Sequence, residues 1–184
     1  IASVKPYSAL ELEGRDIYVA EGCYTCHSQM VRPFRDETER YGEYSKPGEF
    51  IYDRPFQFGS RRIGPDLHRV GAKYPDMWHY NHMLDPQSTS PGSIMPAYTW
   101  LYDTKLDLSH TSAKLKTFKE FFNAPYSDAE VQNAVQDAQA QALKIAEGLS
   151  AQGAKMDIRD LKIVAVIAYL QRLGTDINGE KGAQ

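Results

Sequence analysis

Apolar residues fall at Leu10, Ile17 and Tyr18 on one face of a helical wheel, with Gly14 in the same stripe. Ser8 precedes Glu11 by three residues, the spacing of a capping box, so a helix is predicted to start here, and Gly22 is placed to end it. A glycine inside an apolar stripe costs about 1 kcal/mol relative to alanine, which makes sense where a second helix must approach closely. A partner lies near the other end of the chain. Over 157–173, Leu161, Ile163, Val164, Ala165, Ile167, Ala168 and Leu170 make a broad apolar face, with Tyr169 beside it and Gly174 as a stop. The two terminal helices are predicted to cross.

The stretch 101–156 also reads as helical. Leu115, Phe118 and Phe122 form one stripe that Pro125 closes, and Ser127 with Glu130 repeats the capping-box spacing. Val131, Val135, Ala138, Ala142, Ile145 and Leu149 follow at alternating steps of four and three, a heptad-like seam. The seam is short and partly alanine, which favours packing against the main body over a free coiled coil. Contact with a partner subunit is the functional alternative.

The longest apolar run, 163–170, is eight residues against the roughly twenty of a membrane-spanning helix, so no such segment is predicted. The chain opens at Ile1 rather than methionine and is expected to be processed or truncated, with a signal or anchor lost upstream. At 184 residues, 42% hydrophobic and 24% charged, it fits one soluble globular domain with room for additions. A net charge of −3 is too small to point to nucleic acid. Both cysteines sit in one short motif, which leaves no pair for a structural disulfide.

That motif, Cys23-Tyr24-Thr25-Cys26-His27, is the Cys-x-x-Cys-His attachment signature of a c-type haem. Two thiols at this spacing reach two vinyl groups, and the adjoining imidazole reaches the iron. The same cysteines also suit a dithiol or a zinc site. Zinc needs two further ligands. His68, His79 and His82 are available, but His79 and His82 have two residues between them where finger spacing wants three to five, and they lie far downstream. A dithiol site expects a βαβ setting that the residues around Cys23 lack. Haem is the favoured reading, with zinc and dithiol as alternatives.

Gly14 and Tyr18 before the motif, with Val166-Ile167-Ala168-Tyr169-Leu170 at the far end, resemble the class I cytochrome c fold. Ile63-Gly64-Pro65-Asp66-Leu67-His68 is similar to that family's Gly-Pro-x-Leu-His turn, in which the proline carbonyl accepts the Nδ1 proton of the proximal imidazole. The resemblance gives Pro65 this role and makes His68 structural. Pro91-Gly92-Ser93-Ile94-Met95-Pro96, following Asp85-Pro86, is similar to the loop that carries the second iron ligand and implies Met95. Met30, Met77, Met83 and Met156 are read as core filler. Ligation by His27 and Met95 fills both axial positions and leaves one-electron transfer as the chemistry. Tyr74 and Trp78 are candidates to pack against the haem. His79, His82 and His110 show no ligand constellation and are expected to be exposed.

A plain class I cytochrome has a short connection where this chain carries residues 28–62. Ser28-Gln29-Met30-Val31-Arg32-Pro33-Phe34, Glu37-Thr38-Glu39-Arg40-Tyr41-Gly42, Tyr52-Asp53-Arg54-Pro55-Phe56 and Gly59-Ser60-Arg61-Arg62 together resemble the mono-haem cytochrome c subunit of the C-family, cbb3-type, haem–copper oxidases. The likeness covers about 6–101 and the last helix. It implies one covalently bound haem c in an electron-transfer subunit at the periplasmic face of the bacterial inner membrane. Electrons would come from another cytochrome c subunit or a donor cytochrome and pass toward the catalytic haem–copper subunit, so this chain is expected to be non-catalytic. Members of that family carry an N-terminal membrane helix; its absence here means that the anchor is removed or not included, or that the complex holds the chain at the membrane.

Arg61 and Arg62, next to the Gly-Pro turn, are candidates to bond the haem propionates. Arg32, Arg35, Arg40 and Arg54 with Phe34, Tyr41, Tyr44 and Phe56 are read as a docking surface, against the alternative of a solvated loop whose arginines pair with Asp36, Glu37 and Glu39. The fold expected is mainly α, a class I cytochrome c fold with a long insertion after the haem motif and extra helices before the C-terminal one. Residues 6–110 with 157–175 form the cytochrome c domain, 111–156 an accessory helical segment and 176–184 a polar tail. The other functions weighed are a free-standing periplasmic mono-haem carrier and a haem peroxidase with a labile sixth ligand.

Overall fold

The computed structural model describes residues 1–177, so most of the expected polar tail, 178–184, lies outside the described residues. The helices are α1 (Ala9–Ala20), α2 (Arg35–Tyr41), α3 (Asp76–Leu84), α4 (Pro86–Thr89), α5 (Thr111–Phe122), α6 (Asp128–Gln132), α7 (Ala134–Ala151) and α8 (Lys162–Arg172), with short 3₁₀ turns between them. The described residues contain no strand, only an isolated antiparallel bridge between Lys105 and Leu161. The fold is mainly α, as the sequence predicts, and cytochrome c-like.

The capping box at the start of α1 is formed: Ser8 Oγ accepts from the Glu11 N–H at 3.3 Å, and Glu11 Oε2 accepts from the Ser8 N–H at 2.8 Å. α1 crosses α8 at Gly14, where an added Cβ would lie 1.9 Å from the carbonyl oxygen of Ala165. Every residue of 163–170 is buried, because α8 is covered by α1, α3 and α7 and needs an apolar surface all round. Tyr18 and Tyr7 pack on Tyr169 with ring centroids 5.3 and 5.6 Å away.

The accessory helices share this core. α7 packs on α1 and α8, and Ser8 Oγ donates to Gln141 Oε1 at 2.8 Å. The predicted continuous seam is corrected in register. The helix breaks at Asn133, and the buried ridge is Ala134, Ala138, Ala142, Ala146 and Leu149, with Val131, Val135 and Ile145 on its flanks. Alanines four residues apart let α7 lie close against α1, where a valine and isoleucine ridge would hold it off.

The insertion is fastened differently. Only Val31 and Phe50 are fully buried apolar residues within it, and Phe50 packs edge-on to Phe58 at 4.7 Å and on the His68 ring at 4.5 Å. Its anchors are polar. Arg15 of α1 donates from Nε to Asp53 Oδ1 at 2.5 Å and from a terminal nitrogen to the Pro55 carbonyl at 2.5 Å, while the Tyr7 hydroxyl donates to Asp53 Oδ2 at 3.2 Å. Gln29 donates to the Tyr169 hydroxyl at 2.9 Å.

Candidate functional site

α1 ends in a turn at Gly22, whose φ of +70° is one that glycine adopts without strain. A single 3₁₀ turn follows, closed by the Cys26 N–H bonding to the Cys23 carbonyl at 3.2 Å, with the His27 N–H on the same carbonyl at 3.0 Å, and it sets Cys23, Cys26 and His27 on one wall of a cavity of about 520 Å³. Opposite segments complete the walls: Val166 and Leu170 of α8, Trp78, His79 and His82 of α3, and the loop bearing Met95. The chain therefore brings Cys23, Cys26, His27, Pro65 and Met95 to one chamber.

His27 Nδ1 lies 2.8 Å from the Pro65 carbonyl oxygen. A carbonyl only accepts, so Nδ1 carries the proton and Nε2 keeps its lone pair. Burial holds the His27 pKa below the usual histidine value, partly opposed by the Pro65 carbonyl and the Asp66 charge, so the ring is neutral at pH 7. Gly64 makes the approach possible, since a Cβ there would fall 2.2 Å from His27 Cε1. Met95 is held in a short loop. Asp85 caps α4 by accepting from the Gln87 N–H at 3.1 Å, Gly92 has φ +80°, and Met95 N–H donates to Ser93 Oγ at 3.2 Å.

The other wall is a stack of rings. Tyr74 lies 4.1 Å from Trp78, and Trp78 lies 4.4 Å from His82. The expectation that His79 and His82 are exposed is corrected. His79 is buried with no partner for Nε2, and burial, helped by the neighbouring His82, takes its pKa down to about 4. His82 is half-buried at the cavity, its Nδ1 2.6 Å from Thr89 Oγ1. Period-three spacing on α3, His79 to His82, was the signal for a shared face. His110 is exposed.

Neither Arg61 nor Arg62 lines the cavity, whereas Arg69 and Lys73 do. Arg61 is exposed. Arg62 is drawn into a polar knot behind His27, donating from Nε to Ser28 Oγ at 2.7 Å, to the Met30 carbonyl at 2.9 Å, and to Glu37. His68 is buried away from the cavity between Ser45 and Glu49, in a structural setting. Of the arginines expected to form a docking surface, Arg35 pairs with Glu39 at 2.7 Å and Arg32 with Glu37 at 3.7 Å, the pairing of the solvated-loop alternative, while Arg54 stands over the Phe56 ring at 5.4 Å.

Burial and the Glu21 charge push the Cys23 thiol up to about 12, the reverse of what a reactive dithiol needs. Among the described residues no group of three or more His, Cys, Asp or Glu is placed to hold a metal ion, which leaves zinc short of ligands. A haem fits the residues present: a largely apolar chamber, two thiols on one edge, an imidazole with its tautomer already set, and a thioether in the same chamber.

Fold and chamber define a cytochrome c-like electron-transfer protein. The family model described as cytochrome C oxidase, mono-heme subunit/FixO matches residues 1–177, and the chain belongs to that family. It is thus the mono-haem subunit of a cytochrome c oxidase complex, associated with the other subunits of that complex and serving electron transfer in a respiratory chain. No curated protein matches the chain. No helix among the described residues is long and apolar enough to cross a membrane.

Proposed function

We propose that the chain holds its haem covalently through Cys23 and Cys26, with His27 and Met95 as axial ligands, and passes electrons from donor c-type cytochromes toward the haem b and copper of the catalytic subunit. The observation that carries this reading is the single chamber in which both thiols, the Pro65-oriented imidazole and the Met95 thioether meet. The bound group supplies reversible one-electron exchange at its iron. The chain's own residues do the rest. Pro65 holds the proton on Nδ1 and leaves Nε2 its lone pair, which would serve the iron; Val166, Leu170 and the Tyr74–Trp78–His82 stack would shield the haem from water; the Met95 loop would bring a soft sulfur, which favours the reduced state. With His27 and Met95 both holding the haem iron, the chain would leave oxygen no place to bind, and oxygen reduction would belong to another subunit.

The complex places this chain at the periplasmic face of the bacterial inner membrane, held by its partners or by an N-terminal anchor. Phe34, Phe56 and Tyr44, exposed by 59%, 50% and 43%, mark the insertion as the surface that meets them. The test is spectroscopic. The oxidised protein is expected to show the near-infrared sulfur-to-iron band and to lose it in Met95→Ala; persistence of the band in that variant would reject Met95 as the ligand. Purification from native membranes in mild detergent is expected to yield haem b and copper in fixed proportion to haem c. Haem c alone would support a free carrier, and fast peroxide turnover would support the peroxidase.

A further inference from the structure

The carboxylate of Asp66 is wholly buried and collects donors from both chain segments that the His27–Pro65 hydrogen bond joins. The Ser28 hydroxyl donates to Oδ2 at 2.6 Å, the Met30 N–H donates to the same oxygen at 2.7 Å, and the His68 N–H donates to Oδ1 at 2.8 Å. The Arg62 guanidinium stands 3.6 Å away and is itself fixed by Glu37, the Met30 carbonyl and Ser28 Oγ. Two chain segments are tied by this knot, the one leaving His27 and the one containing Pro65. Backbone bonds run parallel to it, from the Gly64 N–H to the Cys26 carbonyl at 3.0 Å and from the Leu67 N–H to the Ser28 carbonyl at 2.9 Å. The His27–Pro65 hydrogen bond spans these same two segments, so its length is set by what holds them together.

We infer that Asp66 is a positioning residue for His27, and that the insertion, through Arg62 and Glu37, braces the proximal side of the haem site. This inference rests on His27 being the iron ligand. Asp66 faces donors that have no other acceptor as well placed, and a charge-assisted bond of this kind is about twice as strong as a neutral one. Its negative charge also favours the more positive, oxidised state of the neighbouring centre, and a tight Nδ1–H···O bond makes the imidazole a better electron donor. Both effects lower the reduction potential. Removing Asp66 must therefore raise it. A pocket that merely loosened and admitted water would shift the potential the other way, because water stabilises the charged oxidised state.

The experiment compares the full chain with Asp66→Asn, Glu37→Gln and Ser28→Ala, by redox titration and by solvent exchange of the His27 Nδ1 proton in the reduced state, followed by NMR. Asp66→Asn is expected to raise the potential and to speed exchange roughly tenfold, as loss of one charge-assisted hydrogen bond allows, while the near-infrared band stays. Glu37→Gln and Ser28→Ala, which keep the Asp66 charge, are expected to speed exchange by less and to move the potential little. Native exchange and native potential in Asp66→Asn would overturn the inference, as would a lowered potential whatever the exchange rate. Should Asp66→Asn not fold, unchanged exchange in both other variants overturns it and faster exchange in both supports it. Absence of haem or of the near-infrared band from the native chain would instead sink the reading of His27 and Met95 as ligands.

Discussion

Where α1 meets α8 the contact is backbone against backbone: Gly14 under the Ala165 carbonyl, with Tyr18, Ile167 and Leu170 buried around it. Where the insertion meets the same helices, the contact is a guanidinium on a carboxylate, Arg15 with Asp53, both side chains under 5% exposed. One region gains by removing apolar area from water and tolerates no added atoms. The other places charges where water cannot reach, so it is held only while each charge keeps its partner. The crossing lends Tyr18, Val166 and Leu170 to the wall of the chamber that holds Cys23, Cys26, His27 and Met95, and the insertion bonds to the segment that follows His27, so the two kinds of contact meet at one cavity.

Adding atoms at the crossing should have the largest effect. Gly14→Val puts a branched side chain where even a Cβ overlaps the Ala165 carbonyl oxygen at 1.9 Å. A loss of about 4 kcal/mol is expected, with the chamber distorted along with the helices, measured by denaturant titration and by haem retention. A stable, fully loaded variant would show that the crossing has slack.

The insertion should break by subtraction instead. Asp53→Ala leaves Arg15 buried without its partner and is expected to cost about 3 kcal/mol, with the 28–62 region losing hydrogen-exchange protection first. The paired change Arg15→Met with Asp53→Leu removes both charges and should recover most of that loss. Equal damage from the single and double variants would mean that packing, and not charge pairing, holds the insertion.

These two regions also differ in how far the sequence announces them. Period 3.6, the Ser8–Glu11 box and a glycine in an apolar stripe are local signals, and each has a direct structural counterpart at the crossing. The Gly64-Pro65 turn and the Met95 loop were read through their resemblance to known motifs, and the structure brings both to the chamber that Cys23, Cys26 and His27 line. Arg15 with Asp53, and Arg62 with Glu37, carry no such signal: the partners are 38 and 25 residues apart, and a charged residue reads as exposed until its partner is known. His79 was misjudged for the same reason, since a histidine between Trp78 and Tyr80 reads as polar although α3 turns it inward. In α7 the apolar period was visible, but choosing among overlapping stripes required knowing that α1 lies close enough to favour alanine.

That closeness gives a third, smaller effect. Ala142 is buried in the ridge of α7, so Ala142→Leu should cost about 2 kcal/mol by pushing α7 from α1. Val135→Leu, on the half-buried flank, should cost well under half as much in the same thermal melt. The reverse order would show that Val135, and not Ala142, stands at the tight contact of α7 with α1.

Acidification should separate the two regions most gradually. His68 lies within the insertion's anchorage, where the Val31 N–H donates to Ser45 Oγ at 2.8 Å, the Ser45 hydroxyl bonds His68 Nδ1, and Nε2 faces Glu49 Oε2 at 3.4 Å. Burial, reinforced by the Arg69 charge and opposed by Glu49, takes the His68 pKa down to about 3. The folded protein thus binds this proton more weakly than the unfolded chain, whose histidine titrates near 6.5. Stability is complete above that value and is lost as pH falls from about 6.5 toward 3, at up to about 1.4 kcal/mol per pH unit for one proton. Glu49 works in the same direction at lower pH: burial pushes its pKa up, but bonding to Arg69 and the charges around it bring the net value below the usual range, so its contribution disappears as it protonates. Between pH 7 and pH 5, hydrogen-exchange protection in 28–62, taken relative to the intrinsic exchange rate at each pH, is expected to fall while α1 and α8 keep theirs. His68→Asn, whose amide can replace the Nδ1 contact with Ser45, should flatten that pH dependence; a slope unchanged in this variant would place the sensitive group elsewhere in the fold.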